Sequence, residues 1–386
     1  MSEAVSAAEI LRELVAIPTP STISNLPLLH WVAAFVERRG WQTELLPYDD
    51  EHGVAKANLI AWPGARLAGS GERGFHLDLA FVCHTDTVPY AADWAGALSL
   101  DEREGQLHGC GSCDVKGALA CFLAALSTLD AKEIQGSVAL ILTADEEVGC
   151  KGMERLLAAT QLHIGSAIVS EPTSLCAGIA GKGYGLARIT VEGREAHSAF
   201  PGHGVPAISI AARLIVRIED VFGSNAGEGA TNMLFYPPRT TLNIGVIEGG
   251  TAKNIVPGRC AFLVEWRAIP SEAPAHVLEQ LKGLVAETQA NTPGAVIRLE
   301  GLRAEAGFSP AVQGDLQRRL ANLLPGEPVG ISFGSEASRL ARIAKEVIVI
   351  GPGDMRTAHS DRECVPVAEL EAWTRTLAEL LSANAR

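Results

Sequence analysis

Short, almost uninterrupted apolar runs recur in the first half of the chain and again near its end. They are LDLAFVC (77–83), VALILTA (138–144), SAIVS (166–170) and EVIVIG (346–351). Strands buried on both faces of a parallel sheet have this composition. The segment ALACFLAAL (118–126) is apolar all round, which predicts a helix inside a large domain. Together these elements predict an α/β domain with a mostly parallel sheet flanked by helices.

Between residues 171 and 359 the pattern changes to alternation of apolar and polar residues. Three segments alternate: LARITVE (186–192), TLNIGVI (241–247, with Leu242, Ile244 and Val246 on one face) and CAFLVEW (260–266). Such strands are typical of an antiparallel sheet with one covered face. Amphipathic helical stretches at 206–220 and 276–289 interleave with them, and AVIRLEG (295–301) supplies a fourth strand. The order βαββαβ predicts an inserted two-layer α+β domain of the ferredoxin-like kind.

Acidic and histidine residues follow the apolar runs on both sides of this alternating block. They are His84, Asp86, Glu146, Glu147, Glu171 and His359, with Asp114 in the Gly-rich turn GCGSCDVKG. Imidazole and carboxylate are the ligand set of Zn²⁺ and related ions, and open α/β sheets bind ligands beyond the carboxyl ends of their strands. These residues can converge only if the block between them is a separate body. We therefore predict a discontinuous metal-binding domain (1–180 and 303–386) and an inserted domain (181–302).

The spacing of these residues suggests how they divide the chemistry. His84 and Asp86 are two residues apart and point the same way in an extended segment, so Asp86 can fix the imidazole by a hydrogen bond. Asp114 in its turn can present both oxygens, as a bridge between two metals requires. One of Glu146 and Glu147 can ligate a metal while the other acts as a base. Carboxylates this close repel one another unless cations lie nearby.

Composition narrows the class of protein. A chain of 386 residues predicts two domains. The formal net charge of −13, without a Lys/Arg cluster, excludes a nucleic-acid partner. No signal-peptide pattern and no apolar run near the ~18 residues of a membrane span are present, which predicts a cytoplasmic protein that does not bind membranes. The segments 62–74 and 223–238 predict surface loops.

Five motif blocks together resemble those of the dinuclear zinc amidohydrolases, the family that includes acetylornithine deacetylase, succinyl-diaminopimelate desuccinylase, aminoacylase and glutamate carboxypeptidase. The blocks are HTDTVP (84–89), GCGSCDVKG (109–117), DEEVG (145–149), SEPT (170–173) and TAHSDRE (357–363). They occur in the family's order, and the resemblance extends over nearly the whole chain. Cys110 and Cys113 depart from it, because Arg, Leu or small residues are common there. A C-x-x-C pair also suggests redox chemistry or half of a zinc site, but no second pair completes one.

The resemblance implies two divalent ions, zinc with cobalt or manganese as alternatives, in sites that share a carboxylate. The implied ligands are His84 and Glu171 for one ion, Glu147 and His359 for the other, and Asp114 between them. Asp86 would orient His84. Glu146 would be the general base that deprotonates the attacking water and passes the proton to the leaving amine.

The resemblance also implies that the inserted domain serves as a lid, contacts the substrate and forms a homodimer. His197, in REAHSAFP, would support the oxyanion, in this family often from the partner subunit. Asn254 and Arg267 would contact the substrate, and Arg267 could grip an α-carboxylate. Ser335 and Glu336 in FGSEAS and Lys182 in GKGYG are further candidates for the substrate pocket.

The implied reaction is metal-dependent hydrolysis of the amide bond of a small N-acyl amino acid. GPGDMRTAHSDRE and FGSEAS favour N-acetylornithine, which gives ornithine and acetate in arginine biosynthesis; a cationic side chain would then face Glu336 or another pocket acid. N-acetylcitrulline is a close variant. A desuccinylase and a broad aminoacylase or dipeptidase remain alternatives, although no extra arginine for a succinyl group stands in the motif blocks. Outside enzymes, the alternative is an inactive relative that serves binding or assembly.

Overall fold

The computed structural model describes residues 4–64, 74–134, 136–223, 230–273 and 275–382. The chain divides into two compact units. The first comprises Met1–Ile179, Pro310–Val329 and Ser335–Arg386, and the second comprises Ala180–Ser309 and Gly330–Gly334. The predicted boundaries are 180 and 303, and the prediction does not include the short segment 330–334. Parts of the predicted loops 62–74 and 223–238 lie outside the described residues.

In chain order the strands are β1 (Trp41–Asp49), β2 (Ala55–Pro63), β3 (Gly74–His84), β4 (Asp101–Arg103), β5 (Gln106–His108), β6 (Val138–Thr143), β7 (Gln161–Val169), β8 (Gly178–Gly181), β9 (Tyr184–Glu192), β10 (Ala196–His197), β11 (Thr241–Gly249), β12 (Ile255–Val256), β13 (Arg259–Arg267), β14 (Val296–Glu305), β15 (Val329–Ile331), β16 (Ala344–Val349) and β17 (Cys364–Pro366). The α-helices are α1 (Ala7–Ala16), α2 (Leu26–Glu37), α3 (Lys116–Ser127), α4 (Lys151–Ala159), α5 (Ala207–Phe222), α6 (His276–Ala290), α7 (Asp315–Leu323), α8 (Ala337–Leu340) and α9 (Val367–Ser382). No helix among the described residues is long and apolar enough to cross a bilayer.

A sheet of eight strands has the order β1–β2–β6–β3–β7–β16–β8–β15, and the first six strands of this order lie in the first unit. β6, β3, β7 and β16 pair in parallel, whereas β1, β2 and β8 join antiparallel. Every residue of β6 and of α3 is buried. The sheet can therefore be built from continuous apolar runs, because neither face of its central strands meets water. This confirms the predicted α/β class with a mostly parallel sheet.

The second unit contains β9, α5, β11, β13, α6 and β14, which is the predicted βαββαβ order. Its sheet is antiparallel in the order β11–β13–β9–β14, which confirms the ferredoxin-like prediction. Ala187, Ile189 and Phe262 lie on the face that packs with the helices. The register of β11 shifts between Asn243 and Val246, and Val246 is 46% exposed. The alternation predicted for this edge strand is lost there, because the shift pairs Val246 with Leu263 and so turns Val246 away from the face that carries Phe262.

Candidate metal centre

The five residues predicted as metal ligands come together in the first unit. His84 ends β3, Glu147 follows β6, Glu171 follows β7, Asp114 precedes α3, and His359 follows β16. The ligand atoms of His84, Asp114 and Glu171 lie within 4.8 Å of one another, and those of Asp114, Glu147 and His359 do so as well. Parallel strands end at one edge of the sheet, so their following residues meet there. The result is two ligand groups that share Asp114.

Asp114 lies between the two imidazoles and faces each of them with a different oxygen. Its Oδ1 is 3.1 Å from Nε2 of His84, and its Oδ2 is 3.1 Å from Nε2 of His359. Nε2 of His359 is also 3.1 Å from Oε1 of Glu147. A carboxylate with one oxygen turned to each group has the arrangement of a bridging ligand.

His84 is oriented by Asp86, although through a different atom from the one predicted. Nδ1 of His84 is 2.9 Å from the backbone oxygen of Asp86, whereas the nearer carboxylate oxygen of Asp86 is 3.8 Å away. Because Nδ1 faces a carbonyl, it carries the ring proton and leaves the Nε2 lone pair for ligation. The main chain of Asp86 thus fixes the tautomer.

The Asp86 carboxylate instead holds the turn that carries the acidic pair. It accepts hydrogen bonds from the backbone N–H groups of Glu146 (3.1 Å) and Glu147 (3.2 Å) and from the Ser21 hydroxyl (2.8 Å). Asp86 therefore holds the backbone of Glu146 in place, although the two residues have different predicted roles. No sequence pattern marked Ser21.

A buried ion pair fixes the residue before Glu146, and sequence reasoning missed it. The Lys56 ammonium lies 3.1 Å from Oδ1 of Asp145, with both side chains buried, and the Tyr48 hydroxyl donates to Oδ2 of Asp145 at 2.9 Å. Asp145 has φ +57°, in the left-handed region, which a non-glycine residue adopts only when its surroundings hold it there. Lys56 and Tyr48 supply that hold, and the turn aims Glu146.

The electrostatics of the centre call for cations. Burial raises the pKa of Glu146 to about 8, and the nearby charge of Glu147 adds to the effect. Burial and the charge of Asp114 raise the pKa of Glu171. Hydrogen bonds to Asp114 and Glu147 raise the pKa of His359 to about 10. These acids crowd one another in a buried space, and imidazole nitrogens and carboxylate oxygens are ligands that suit divalent ions such as Zn²⁺. The donor set therefore fits two divalent cations.

The pKa of Asp114 moves in the other direction. Burial alone would raise it, but hydrogen bonds with His359 and His84 outweigh burial and hold it below the usual range. Likewise, burial alone would lower the pKa of His84, and the hydrogen bond with Asp114 raises it well above the usual value instead. Asp114 is thus the member of the cluster that stays ionised most readily, as a bridging ligand must.

A cavity of about 420 Å³ opens beside His359 in the first unit. This volume suits a small ligand. Its lining residues are Val88, Pro89, Tyr90, Ala91, Asp93, Trp94, Cys110, His359, Ser360, Asp361 and Glu363. The lining is acidic and aromatic, and among the described residues it contains no lysine or arginine. Sequence reasoning did not identify Asp93, Trp94 or Asp361.

The three further candidates for the substrate pocket make defined contacts. The Ser335 hydroxyl accepts the N–H of Ala337 at 3.3 Å, at the start of α8. Glu336 is 1% exposed, and burial raises its pKa to about 7. The Lys182 ammonium donates to the backbone oxygens of Pro237 (3.1 Å) and Arg239 (2.6 Å). Two of the three lysine donors therefore hold a loop of the second unit.

The remaining candidates lie in the second unit. His197 in β10 pairs with Ile255 in β12, and the backbone oxygen of Asn254 accepts the N–H of Ser198 at 3.0 Å. His197 and Asn254, far apart in sequence, are therefore neighbours. Arg267 ends β13, donates from Nε to Glu265 at 2.9 Å, and stacks over Tyr184 at 4.6 Å. Their predicted contacts with substrate stay predictions.

A family model and curated relatives both match most of the chain. The model of peptidase family M20/M25/M40 matches residues 80–383. The chain is 40% identical over 376 residues to an acetylornithine deacetylase of Myxococcus xanthus, covering 96% of both chains. It is 28% identical over 382 residues to that of Proteus mirabilis, covering 97% of this chain and 95% of the relative.

Solved structures share the fold over its full length. The aminopeptidase PepT of Bacillus cereus aligns with a TM-score of 0.75 at 21% identity, covering 98% of both chains. An M20 family metallo-carboxypeptidase of Sulfolobus solfataricus aligns with a TM-score of 0.73 at 17% identity, covering 98% of this chain and 99% of the other.

Proposed function

Because the chain belongs to peptidase family M20/M25/M40, a family of hydrolases, we propose that it hydrolyses the amide bond of N-acetylornithine and releases ornithine and acetate. The observation that carries this proposal is the pair of ligand groups joined through Asp114, in a chain 40% identical over its length to an acetylornithine deacetylase. The predicted place of the reaction is arginine biosynthesis, in the cytoplasm.

Two divalent ions are proposed for the two groups, with zinc as the native metal and cobalt or manganese as alternatives. His84 and Glu171 would hold one ion, Glu147 and His359 the other, and Asp114 both. When bound, such ions lower the pKa of a water molecule and polarise the amide carbonyl. The spacing of ligand atoms within 4.8 Å in each group supports this division.

Glu146 is the proposed general base. Its side chain is buried beside the ligand groups, and its raised pKa suits a carboxyl that must accept a proton and later give it away. In this role it takes a proton from the attacking water and transfers it to the nitrogen of the departing ornithine. Asp86 and the Lys56–Asp145 pair keep it in place through the backbone of its turn.

His197 is the proposed donor to the oxyanion. Its Nδ1 accepts the backbone N–H of Ala199 at 3.1 Å, so the neutral ring carries its proton on Nε2 and presents a donor. Asn254, its neighbour, and Arg267 are proposed to bind the substrate. Arg267 donates to Glu265 through Nε. Its two Nη groups have the geometry to bind an α-carboxylate.

The acidic cavity beside His359 supports a cationic side chain on the substrate. Asp93 and Asp361 are exposed in its lining, and Tyr90 and Trp94 offer aromatic faces to a cation. A second carboxylate, as in a succinyl substrate, would be repelled there. This observation favours ornithine over a succinylated diamino acid.

A panel of acylated amino acids tests the proposed function. With the metal-loaded protein, we expect kcat/KM for N-acetylornithine to exceed that for N-succinyl-diaminopimelate by at least about 10²-fold, because the cavity is built for a cation. N-acetylcitrulline is the matched control, since it keeps the backbone and loses the charge. Preference for a succinyl substrate or a dipeptide would contradict the substrate assignment. A protein that loads metal but turns over none of the panel would indicate a binding or assembly role.

A homodimer is proposed to share each active site, with His197 coming from the partner subunit. Co-expressed His197→Ala and Glu146→Ala chains, carrying different tags and purified through both tags in succession, should then recover about one half of wild-type activity per chain, because every dimer in that preparation is mixed and one of its two sites is complete. Each variant alone serves as the control. If the mixed preparation is as inactive as the separate variants, the site is built within one chain.

A further inference from the structure

Glu363 is a buried carboxylate that lines the cavity beside His359, and no step proposed above uses it. It lies four residues after His359 and is 2% exposed. Its oxygens accept three backbone hydrogen bonds from the turn that carries Asp114. Oε2 accepts the N–H of Gly111 at 3.0 Å, and Oε1 accepts those of Cys113 and Asp114, each at 3.0 Å.

These bonds continue the pairing of β17 with β5 into the turn at 111–114, which is not part of a strand. β17 pairs antiparallel with β5, and the N–H of Gly109 donates to the Glu363 backbone oxygen at 3.3 Å. Beyond Gly109 the ladder stops, and the Glu363 side chain makes the connection. Gly111 has φ +76°, and a Cβ there would lie 2.9 Å from the Thr87 methyl group. Glycine therefore allows the turn to direct three of its N–H groups at one anion.

We propose that Glu363 is a positioning residue that sets Asp114 relative to His359, and through Asp114 the geometry of both ligand groups. This inference rests on the proposed function, because it requires that these groups bind metal. Glu363 and His359 belong to one short segment, and the Glu363 carboxylate bonds directly to the backbone of Asp114. Asp114 in turn faces His84 on the separate strand β3. A shift of the turn would therefore displace a ligand of both groups at once.

Glu346 provides a matched control for a purely structural role. It is also buried, at 6% exposure, and it accepts the backbone N–H groups of Leu316 (2.9 Å) and Gln317 (2.8 Å) at the start of α7. It lies in the same unit and belongs to neither ligand group. Removing its charge should weaken the fold in a comparable way without touching the turn of Asp114.

The test compares Glu363→Gln with Glu346→Gln by metal affinity and thermal stability. We measure Tm of the metal-free proteins and Zn²⁺ affinity by competition with a chelator. In Glu363→Gln one oxygen becomes an NH₂ group that cannot accept an N–H, so we expect a fall of about 10- to 100-fold in Zn²⁺ affinity. Glu346→Gln should lower Tm to a similar extent and leave the affinity unchanged. The absorption spectrum of the Co²⁺-loaded protein should change only in Glu363→Gln.

Equal losses of Tm with unchanged affinity and spectrum in both variants would overturn the proposal. If Glu363→Gln does not fold, Glu363→Asp replaces it, because it keeps the charge but moves it back by one methylene; an unchanged affinity in that variant would count against the proposal equally. Wild-type protein that binds fewer than two ions would instead contradict the dinuclear centre, which separates failure of the proposed function from failure of this inference.

Discussion

Glutamine in place of Glu146 is expected to reduce kcat by about 10²- to 10⁴-fold while the metal content stays at about two ions per chain. Glutamine keeps the size of the side chain and an oxygen that the Cys150 thiol can still reach, as it reaches Oε1 of Glu146 at 3.2 Å. It cannot accept a proton. The side chain at position 146 should therefore keep its position, and the variant should lose only the transfer of a proton from water to the leaving amine.

Steady-state kinetics with N-acetylornithine, together with metal analysis of the same preparation, checks this result. Glu154→Gln is the control, because Glu154 is an exposed acid a short distance along the chain. Its activity should equal that of the wild type. Turnover of Glu146→Gln within about tenfold of wild type would remove Glu146 as the base, since a single general base contributes more than that. Loss of metal along with activity would indicate that Glu146 is itself a ligand.

The second large effect is expected for Asp114→Asn, which should weaken the binding of both ions by at least about 10²-fold, or roughly 2.7 kcal/mol each. Each oxygen of Asp114 faces one imidazole. Asparagine removes the negative charge from both groups and turns an NH₂ group toward one of them. Activity should fall to background, because neither ion would remain at working concentrations.

Metal content after dialysis against a chelator measures this effect. His359→Ala gives the contrast, because His359 belongs to one group only; it should lose one ion and keep the other. Asp101→Asn, a neutralised exposed aspartate in β4, is the control and should keep both. If Asp114→Asn retained one ion at wild-type affinity, Asp114 would serve a single site, and the bridge would be wrong.

Burial made much of the fold predictable. Strands such as β6 are covered on both faces, so their sequences are almost entirely apolar. The strands β9 and β13 are covered on one face and therefore alternate. The family resemblance from the five motif blocks is confirmed by the family match over residues 80–383. The dimer, the cytoplasmic location and the individual site roles stay predictions.

The supports of the centre were not predictable, because they depend on bonds between residues distant in sequence. In the sequence, Lys56 and Asp145 have the pattern of ordinary surface charges, whereas in the structure they form a buried ion pair. Glu363 lies within the motif TAHSDRE, but its three hydrogen bonds come from backbone N–H groups. The sequence of side chains does not show where backbone N–H groups point. The bulge in β11 left no signal either, since it interrupts the register of an edge strand without changing its composition.

The position of β16 in the central sheet also bears on how the chain is synthesised. β16 pairs with β7, yet the ribosome makes the whole of the second unit after β7 and before β16. Until residues 344–349 emerge, the nascent first unit carries an apolar strand with one side unpaired, and unpaired strand edges invite aggregation. The longer this interval lasts, the longer the free edge of β7 is open to pairing with other chains, so slow translation of residues 180–343 should favour aggregation.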